Sequence, residues 1–321
     1  MRLTEGTAGA RILAFGGYQP TRVLTNDELA ATVDTSDEWI RSRVGIASRR
    51  IAGPDETVAD MAVAAGGKAL AASGLSPGDI DLVIVATCTP EAQIPNTAAS
   101  VARRLGTAAP GAYDMNAACA GFSYALANAS DAVRAGTARH VLVIGSEKLS
   151  QWVDWTDRST CIIFADGAGA AVVGPVSDPA EAGIGPVVWG SAGDLADKIY
   201  IPDRNGFIIQ EGQAVFRWAT TALHPVAKEA CARAGVELTE LAAFVPHQAN
   251  LRIIEAIARK LGAPQALVAD DIVTAGNTSS ASIPLALARM LEQGEIASGA
   301  PVLLLGFGAG ICYAGQVITV P

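Results

Sequence analysis

The sequence predicts an α/β fold made of two similar halves, with mixed sheets layered between helices. Three observations carry that expectation. Continuous apolar runs such as DLVIVAT (81–87) and HVLVIGS (140–146) read as strands covered on both faces. Alanine-rich stretches such as VADMAVAAGGKALAASG (58–74) read as helices that pack closely between layers. The chain also repeats itself at a fixed offset of 161 residues. SGLSPGDIDLVIVA (73–86) lines up with AGVELTELAAFVPH (234–247), and VLVIGS (141–146) with VLLLGF (302–307). The same shift pairs Asn116 with Asn277, and Cys119 with Ser280 at two helix starts.

Each segment has its place in this scheme. The opening MRLTEGTAGARILAFGG lacks a basic stretch followed by a long apolar run, so no secretory signal is expected. The Pro- and Gly-rich seam near 176–185 divides the chain into halves 1–177 and 178–321. The uncharged run from Val302 to Val320 carries Gly306, Gly308, Gly310 and Gly315, so it reads as two buried strands joined by a glycine turn, not as a membrane span.

Composition narrows the function. Half of the 321 residues are hydrophobic and 17% are charged, which implies a compact chain. Lys and Arg number 23 against 32 Asp and Glu, a net charge of −9. That balance argues against a general nucleic-acid binder or a protein of anionic membrane surfaces. The five cysteines (88, 119, 161, 231, 312) are odd in number and show no CxxC spacing. Reduced thiols in a cytoplasmic protein are expected, with no metal site. Cys312, in a strand just after the glycines of GFGAG, reads as core.

Three residues attract chemistry. Cys119, in DMNAACAGFSYAL, stands where a helix should begin. Read locally it is either a small buried filler or a thiol whose thiolate the helix N-terminus stabilises. His247 lies just past the strand AAFVP, and Asn277 in the AGNTSSAS turn before the helix that matches the cysteine's. The repeat could bring Asn277 and Cys119 together about a pseudo-twofold axis. His140, at a strand start, and His224, before Pro225 in a helical stretch, look ordinary.

Cys119 in NAACAGF, His247 in VPHQANLRII and Asn277 in GNTSSASIP together resemble β-ketoacyl-acyl carrier protein synthase III. The likeness runs from about Arg11 to Pro321 and includes VDTSDEWIRSRVGI (33–46), DRSTCIIFADGAGAAVV (157–173) and GFGAG (306–310). It implies the thiolase fold, a layered αβαβα architecture. It implies an acyltransferase in which Cys119 takes an acyl group from acyl-CoA, and a decarboxylating malonyl-acyl carrier protein then attacks that thioester. An enzyme of the same fold dedicated to priming a polyketide or other secondary-metabolite pathway would keep the same three residues. His247 and Asn277 would stabilise the charge that decarboxylation builds, and the backbone N–H groups of Cys119 and Ala309 would form the acyl-transfer oxyanion site. Ala309 departs from the family's usual GFGGG and must tolerate the dihedrals glycine adopts there. By the same resemblance, Trp39 and Arg158 sandwich the CoA base with Thr35 and Arg43 nearby, and Phe216, Asn250 and Arg252 line the pantetheine tunnel or its mouth. Ile94 closes the acyl pocket of the partner subunit in a homodimer. Arg217, Arg252, Arg259 and Lys260 form a basic face for the acidic carrier protein, the last three on a helix expected over 248–262. No permanently bound cofactor is expected.

Overall fold

A computed structural model describes residues 4–203 and 206–321. Residues 1–3, the start of the stretch expected to lack a secretory signal, lie outside the described residues. Two five-stranded sheets form the frame. The first runs, in spatial order, Gly9–Tyr18, Asp166–Val176, Val141–Lys148, Leu82–Ala86 and Gly111–Met115. The second runs Val188–Ser191, Cys312–Thr319, Pro301–Gly308, Ala243–Pro246 and Leu267–Val268. Numbered by appearance within its own half, each sheet has the order 1-5-4-2-3. Both are mixed: the pairings among strands 3, 2 and 4 are parallel and the others antiparallel.

The repeat extends to the hydrogen-bond register. Leu82 faces Val141 in the first sheet, and Ala243 faces Val302 in the second, each residue 161 positions beyond its counterpart. The offset ends at the last strand. Residues 149–165 separate the last two strands of the first half, whereas only Ala309–Ile311 do so in the second. The apolar run 302–320 is accordingly an antiparallel pair, turning where Gly310 takes φ +104°. No helix of the described residues is long and apolar enough to cross a membrane.

Helices complete five layers. Helix Val58–Ser73 starts on a capping box between Thr57 and Asp60 and ends at Gly74 with φ +73°. It lays Met61, Ala62, Ala65 and Ala69 on Val83, Val85, Leu142 and Ile144 of the first sheet. Between the sheets lie helices Gly121–Arg134 and Ser282–Glu292, whose Phe122, Leu126, Ile283 and Leu287 share one core with Ile84, Val143, Val245 and Leu304. Helices Gly212–Ala234 and Leu251–Leu261 cover the far face of the second sheet through Leu223, Ala227, Ile253 and Ile257. Each fully buried Leu, Ile or Phe contributes about 1.5–3 kcal/mol, against about 0–1 kcal/mol for an exposed ion pair. The two inner helices, and the turns that lead into them, are therefore the best-held parts of the chain.

One boundary differs from expectation. The helix expected over 248–262 begins at Leu251, because Asn250 caps it by accepting the Arg252 N–H at 2.9 Å. Gln248 is a buried tether instead. Its amide donates to Pro246 O at 2.8 Å and its Oε1 accepts the Ile272 N–H at 3.0 Å.

Candidate active site

Each inner helix is entered through a tight elbow. In the first, Asn116 Oδ1 accepts the Ala118 N–H at 3.0 Å; in the second, Asn277 Oδ1 accepts the Ser279 N–H at 2.8 Å. A 3-10 turn follows each, over Ala118–Ala120 and Ser279–Ala281. Ala118 has φ +46° and Ser279 φ +51°, two of the three non-glycine residues with positive φ among those described. They are equivalent positions of the repeat. Such conformations cost about 1–3 kcal/mol each and persist where their surroundings fix them. Here the opposite half does so. A Cβ on Gly145 of the first sheet would stand 2.4 Å from Ser280 O, and one on Gly306 of the second would stand 3.1 Å from Ala120 Cα. Gly145 and Gly306 are again 161 residues apart.

Cys119 therefore lies in the 3-10 turn one residue pair ahead of helix Gly121–Arg134, not on its first α-turn. The simple expectation of a helix-stabilised thiolate is corrected by its surroundings. Cys119 keeps some surface toward the cavities, but desolvation by the packing around it and the nearby Glu147 carboxylate push the thiol up to about 12. A hydrogen bond from Ser279 and one from its own backbone N–H pull the other way without prevailing.

His247 and Asn277 present hydrogen-bond donors. His247 is 2% exposed, and burial holds its imidazole down at about 3, so it is neutral across the physiological range. Its Nδ1 lies 2.8 Å from Ser282 Oγ, which also accepts the Gln248 N–H at 3.2 Å. No other acceptor bonds Ser282 Oγ among the described residues, so its hydroxyl hydrogen points to Nδ1 and the ring proton sits on Nε2. Phe307 packs edge-on against the ring, centroids 5.2 Å apart. Asn277 is clamped through its backbone, its N–H donating to Ile163 O at 3.0 Å and its carbonyl accepting the Ala165 N–H at 2.9 Å. Its Oδ1 is engaged in the elbow, which leaves the Nδ2 hydrogens to face the cavity.

Glu147, which the sequence reading passed over, lies beneath the elbows with 0% exposure. It accepts from Thr89 Oγ1 (2.7 Å), Thr87 Oγ1 (3.1 Å), the Cys88 N–H, Ser280 Oγ (2.9 Å) and Ser279 Oγ (3.0 Å). The available signal was an acidic residue ending an otherwise apolar buried strand, since a charge is buried only where partners await it. Arg49 was missed too. It is fully buried and donates to Ile162 O at 3.1 Å, next to the carbonyl that holds Asn277.

Two cavities meet at Cys119. A cavity of about 640 Å³ leads from the surface past Trp39, Arg43, Phe216, Arg217, Asn250 and Arg252 to Cys119, His247 and Asn277. A second, of about 430 Å³, lies beyond the sulfur between Cys88, Leu149, Trp152, Phe164, Ile201 and Ile208, with Ala309 on its wall. Ala309 has no positive φ; the strained dihedral falls on Gly310. A Cβ on Gly308 would stand 2.6 Å from Cys119 N, so glycine is needed there. Arg158 and Trp39 do not flank an open slot. The Arg158 guanidinium lies 4.6 Å from the Trp39 ring centroid and donates to Asp34 O at 2.7 Å. Arg43 lies 5.6 Å from the same ring. Thr35 Oγ1 is buried nearby without a partner. Arg252 stacks on Phe216 at 5.5 Å.

The basic face borders the first cavity at Arg217 and Arg252, while Arg259 and Lys260 lie outside it. Arg217, Arg252, Arg259 and Lys260 are all exposed. Among them, Arg259 reaches Glu255 at 4.0 Å and Lys260 Nζ donates to Thr220 O at 2.6 Å. Ile94 is 85% exposed and lines neither of Cys119's cavities. Cys312 is half-buried, not core, because it begins its strand at the sheet's end, and it lines neither cavity. Among the described residues no cluster of three or more His, Cys, Asp or Glu could hold a metal ion.

Known proteins match both the sequence and the fold. The family profiles described as 3-oxoacyl-[acyl-carrier-protein (ACP)] synthase III, and as its C-terminal part, match residues 113–193 and 231–320. The beta-ketoacyl-[acyl-carrier-protein] synthase III 4 of Streptomyces coelicolor is 57% identical over 313 residues, spanning 98% of this chain and 99% of that one. Among solved structures, the priming β-ketosynthase of the R1128 polyketide biosynthetic pathway superposes with a TM-score of 0.96 at 44% identity, covering 100% of this chain and 98% of that one. The 3-oxoacyl-[acyl-carrier-protein] synthase III of Aquifex aeolicus VF5 gives 0.93 at 42% identity, covering 97% and 100%. The layered fold is the thiolase fold of these relatives, and the chain belongs to the 3-oxoacyl-[acyl-carrier-protein] synthase III family.

Proposed function

We propose that this chain condenses an acyl-CoA starter with malonyl-acyl carrier protein, releasing CO2 and leaving a 3-oxoacyl group on the carrier. The observation that carries this reading is the meeting, at the floor of one cavity, of a thiol and two neutral N–H donors of fixed orientation. In the first half-reaction the Cys119 sulfur attacks the acyl thioester, and the developing oxyanion takes the backbone N–H groups of Cys119 and Ala309. The bond to the CoA sulfur breaks and an acyl-cysteine remains, its chain in the 430 Å³ cavity. In the second half-reaction malonyl-acyl carrier protein loses CO2, and the enolate oxygen receives the Nε2–H of His247 and the Nδ2–H of Asn277. Neutral donors suit this step, because a permanently charged imidazolium would also hold the malonyl carboxylate and oppose its departure. The carbanion then attacks the acyl-cysteine.

The entrance supports CoA as the donor. Trp39 offers a ring face already covered by Arg158, so an adenine would enter by displacing that guanidinium and inherit both stacking surfaces. Arg217, Arg252, Arg259 and Lys260 are a local positive face on a chain of net charge −9, suited to an acidic carrier protein. A homodimer is the assembly we infer: strand Gly111–Met115 is an open sheet edge, and the large apolar side chain of Ile94 is 85% exposed and free to meet a partner subunit. Five unpaired cysteines fit a reducing cytoplasm. The R1128 likeness supports a second assignment of the same chemistry, to the priming of a polyketide chain.

The test is condensation of malonyl-acyl carrier protein with a panel of straight and branched acyl-CoAs, with Cys119 acylation followed by intact mass. Cys119→Ser should take up no acyl group, while His247→Ala and Asn277→Ala should acylate and then fail to condense. Normal acylation of Cys119→Ser, or unimpaired condensation by Asn277→Ala, would overturn the assignment.

A further inference from the structure

The 430 Å³ cavity beyond Cys119 has a neighbour. A hollow of about 610 Å³ lies beside it, bounded by the exposed Gln93, Gln151 and Phe207, and Cys88, Asn116 and Trp152 border both spaces. These three side chains are therefore the partition. Two of them are pinned by hydrogen bonds. Cys88 Sγ lies 3.4 Å from Glu147 Oε1 and the Cys88 N–H donates to the same carboxylate, while Asn116 Oδ1 accepts the Ala118 N–H of the elbow. Trp152, the largest of the three, is held differently. Its Nε1 is buried and meets no acceptor among the described residues, whereas Trp155 Nε1 donates to Ser150 O at 3.2 Å. The Trp152 ring is kept in place by packing against the cluster that holds Leu149, Phe164 and Ile208, three walls of the inner cavity. Its backbone is fixed separately, the carbonyl accepting the Ile208 N–H at 2.8 Å. Leu149, Trp152 and Phe164 all come from 149–165, the stretch by which the first half outgrows the second.

We propose that Trp152 is the residue that limits the length of the acyl group carried by Cys119: an aliphatic chain runs along Leu149, Phe164 and Ile208 and ends against the indole. This rests on the acyl-transfer reading above. It places the stop inside the subunit that holds the thioester, and not only on Ile94 of a partner subunit. Apolar walls select an aliphatic chain, and a rigid aromatic end wall makes the stop sharp. In an apolar pocket one methylene too many lowers the rate by about 10- to 200-fold. Cutting Trp152 back to alanine removes the bulk of the partition without orphaning a hydrogen-bond partner, because the indole N–H has none and the backbone carbonyl stays. The two spaces then join, and a longer chain gains the 610 Å³ hollow.

The experiment follows acylation of Cys119 by intact mass with straight-chain acyl-CoAs from acetyl to hexadecanoyl, in the parent, Trp152→Phe, Trp152→Ala and Ile94→Ala. Each rate is divided by the same variant's acetyl-CoA rate, so that a general loss of activity or of folded protein cancels. The parent should show a chain length beyond which the relative rate falls by about 10-fold or more. Trp152→Phe should move that limit to longer chains and Trp152→Ala further still, the first chain that the parent rejects gaining about 10-fold or more in Trp152→Ala. Should Trp152→Ala fail to fold, Trp152→Phe, which keeps an aromatic ring in the same cluster, carries the comparison. A limit that stays put in the folded Trp152 variants, a parent without a limit, or a limit moved by Ile94→Ala alone would overturn the proposal. The series is repeated with p-nitrophenyl esters of the same acids, which acylate the thiol with release of p-nitrophenolate and need no CoA site. Esters that reproduce the Trp152-dependent limit, when no acyl-CoA acylates Cys119, would overturn the donor assigned above and leave the length limit standing.

Discussion

Ser282→Ala isolates the device that sets the His247 proton. The hydroxyl stands 2.8 Å from Nδ1 and 3.2 Å from the Gln248 nitrogen, and both would lose their partner at once. A net hydrogen bond of about 0.5–1.5 kcal/mol holds the Nε2–H tautomer, so its removal should slow decarboxylation about 2- to 12-fold. The Gln248 N–H, in a residue 1% exposed, would be left unsatisfied, which costs about 1–3 kcal/mol of stability. Decarboxylation is read as CO2 release from malonyl-acyl carrier protein, acylation by intact mass, and stability by urea unfolding. Acylation of Cys119 should stay at the parent rate, because Ser282 does not touch the sulfur. The decarboxylation profile should also keep its shape with pH, since burial keeps the ring neutral whichever nitrogen bears the proton. Unchanged CO2 release, or a matching fall in acylation, would refute the tautomer argument.

Other perturbations reach other parts of the site. Gly308→Ala would place a Cβ 2.6 Å from Cys119 N and 2.8 Å from Cys119 Cβ, an overpacking of about 1–3 kcal/mol. It should also cut acylation by about 100-fold or more by displacing an oxyanion donor, while Ala309→Gly, at an unstrained φ, should acylate near the parent rate on the same mass assay. His247→Gln reports on stability and pH. The folded imidazole at about 3 lies below its ordinary 6.5, so the unfolded chain takes up the proton first. The parent's stability is therefore complete above the ordinary value and falls as pH drops toward the folded one, by about 1.4 kcal/mol per unit. Urea midpoints at descending pH should show a shallower fall in His247→Gln; parallel curves would contradict the assignment. Lys260→Glu should raise the KM for malonyl-acyl carrier protein, less so above about 0.15 M salt, with CoA-dependent acylation unchanged.

The repeat was legible because a parallel strand pair and the helix joining it fix their own spacing. A constant offset in sequence thus became a constant register, Leu82 on Val141 and Ala243 on Val302. The elbows were legible as helix starts, but their left-handed residues were not, since Ala118 and Ser279 are not the glycine or asparagine that usually marks that conformation. Glu147 stayed hidden for another reason. Its partners Ser279 and Ser280 are 132 and 133 residues away, so no local pattern joins them. At Cys119 a local effect meets a tertiary one. The helix terminus is visible in sequence, whereas the desolvation that outweighs it is made by both halves together. Arg158 stacks on Trp39 from a segment about 120 residues further along the chain, a meeting that neither segment could announce alone.

Gly145 and Gly306 give damage in this molecule an inverted geography. Each is a glycine of one half whose missing side chain is replaced by the other half's elbow. Widening Gly145, in the cysteine's own sheet, presses first on Ser280 and so on the turn that aims Asn277. Widening Gly306, in the sheet of the histidine, presses first on Ser123 and then on Ala120, beside the thiol. An injury is thus felt across the seam before it is felt at home. Cys119 and the pair His247 and Asn277 are therefore kept in mutual alignment by the partner each one faces, and neither half on its own carries the dimensions of the site.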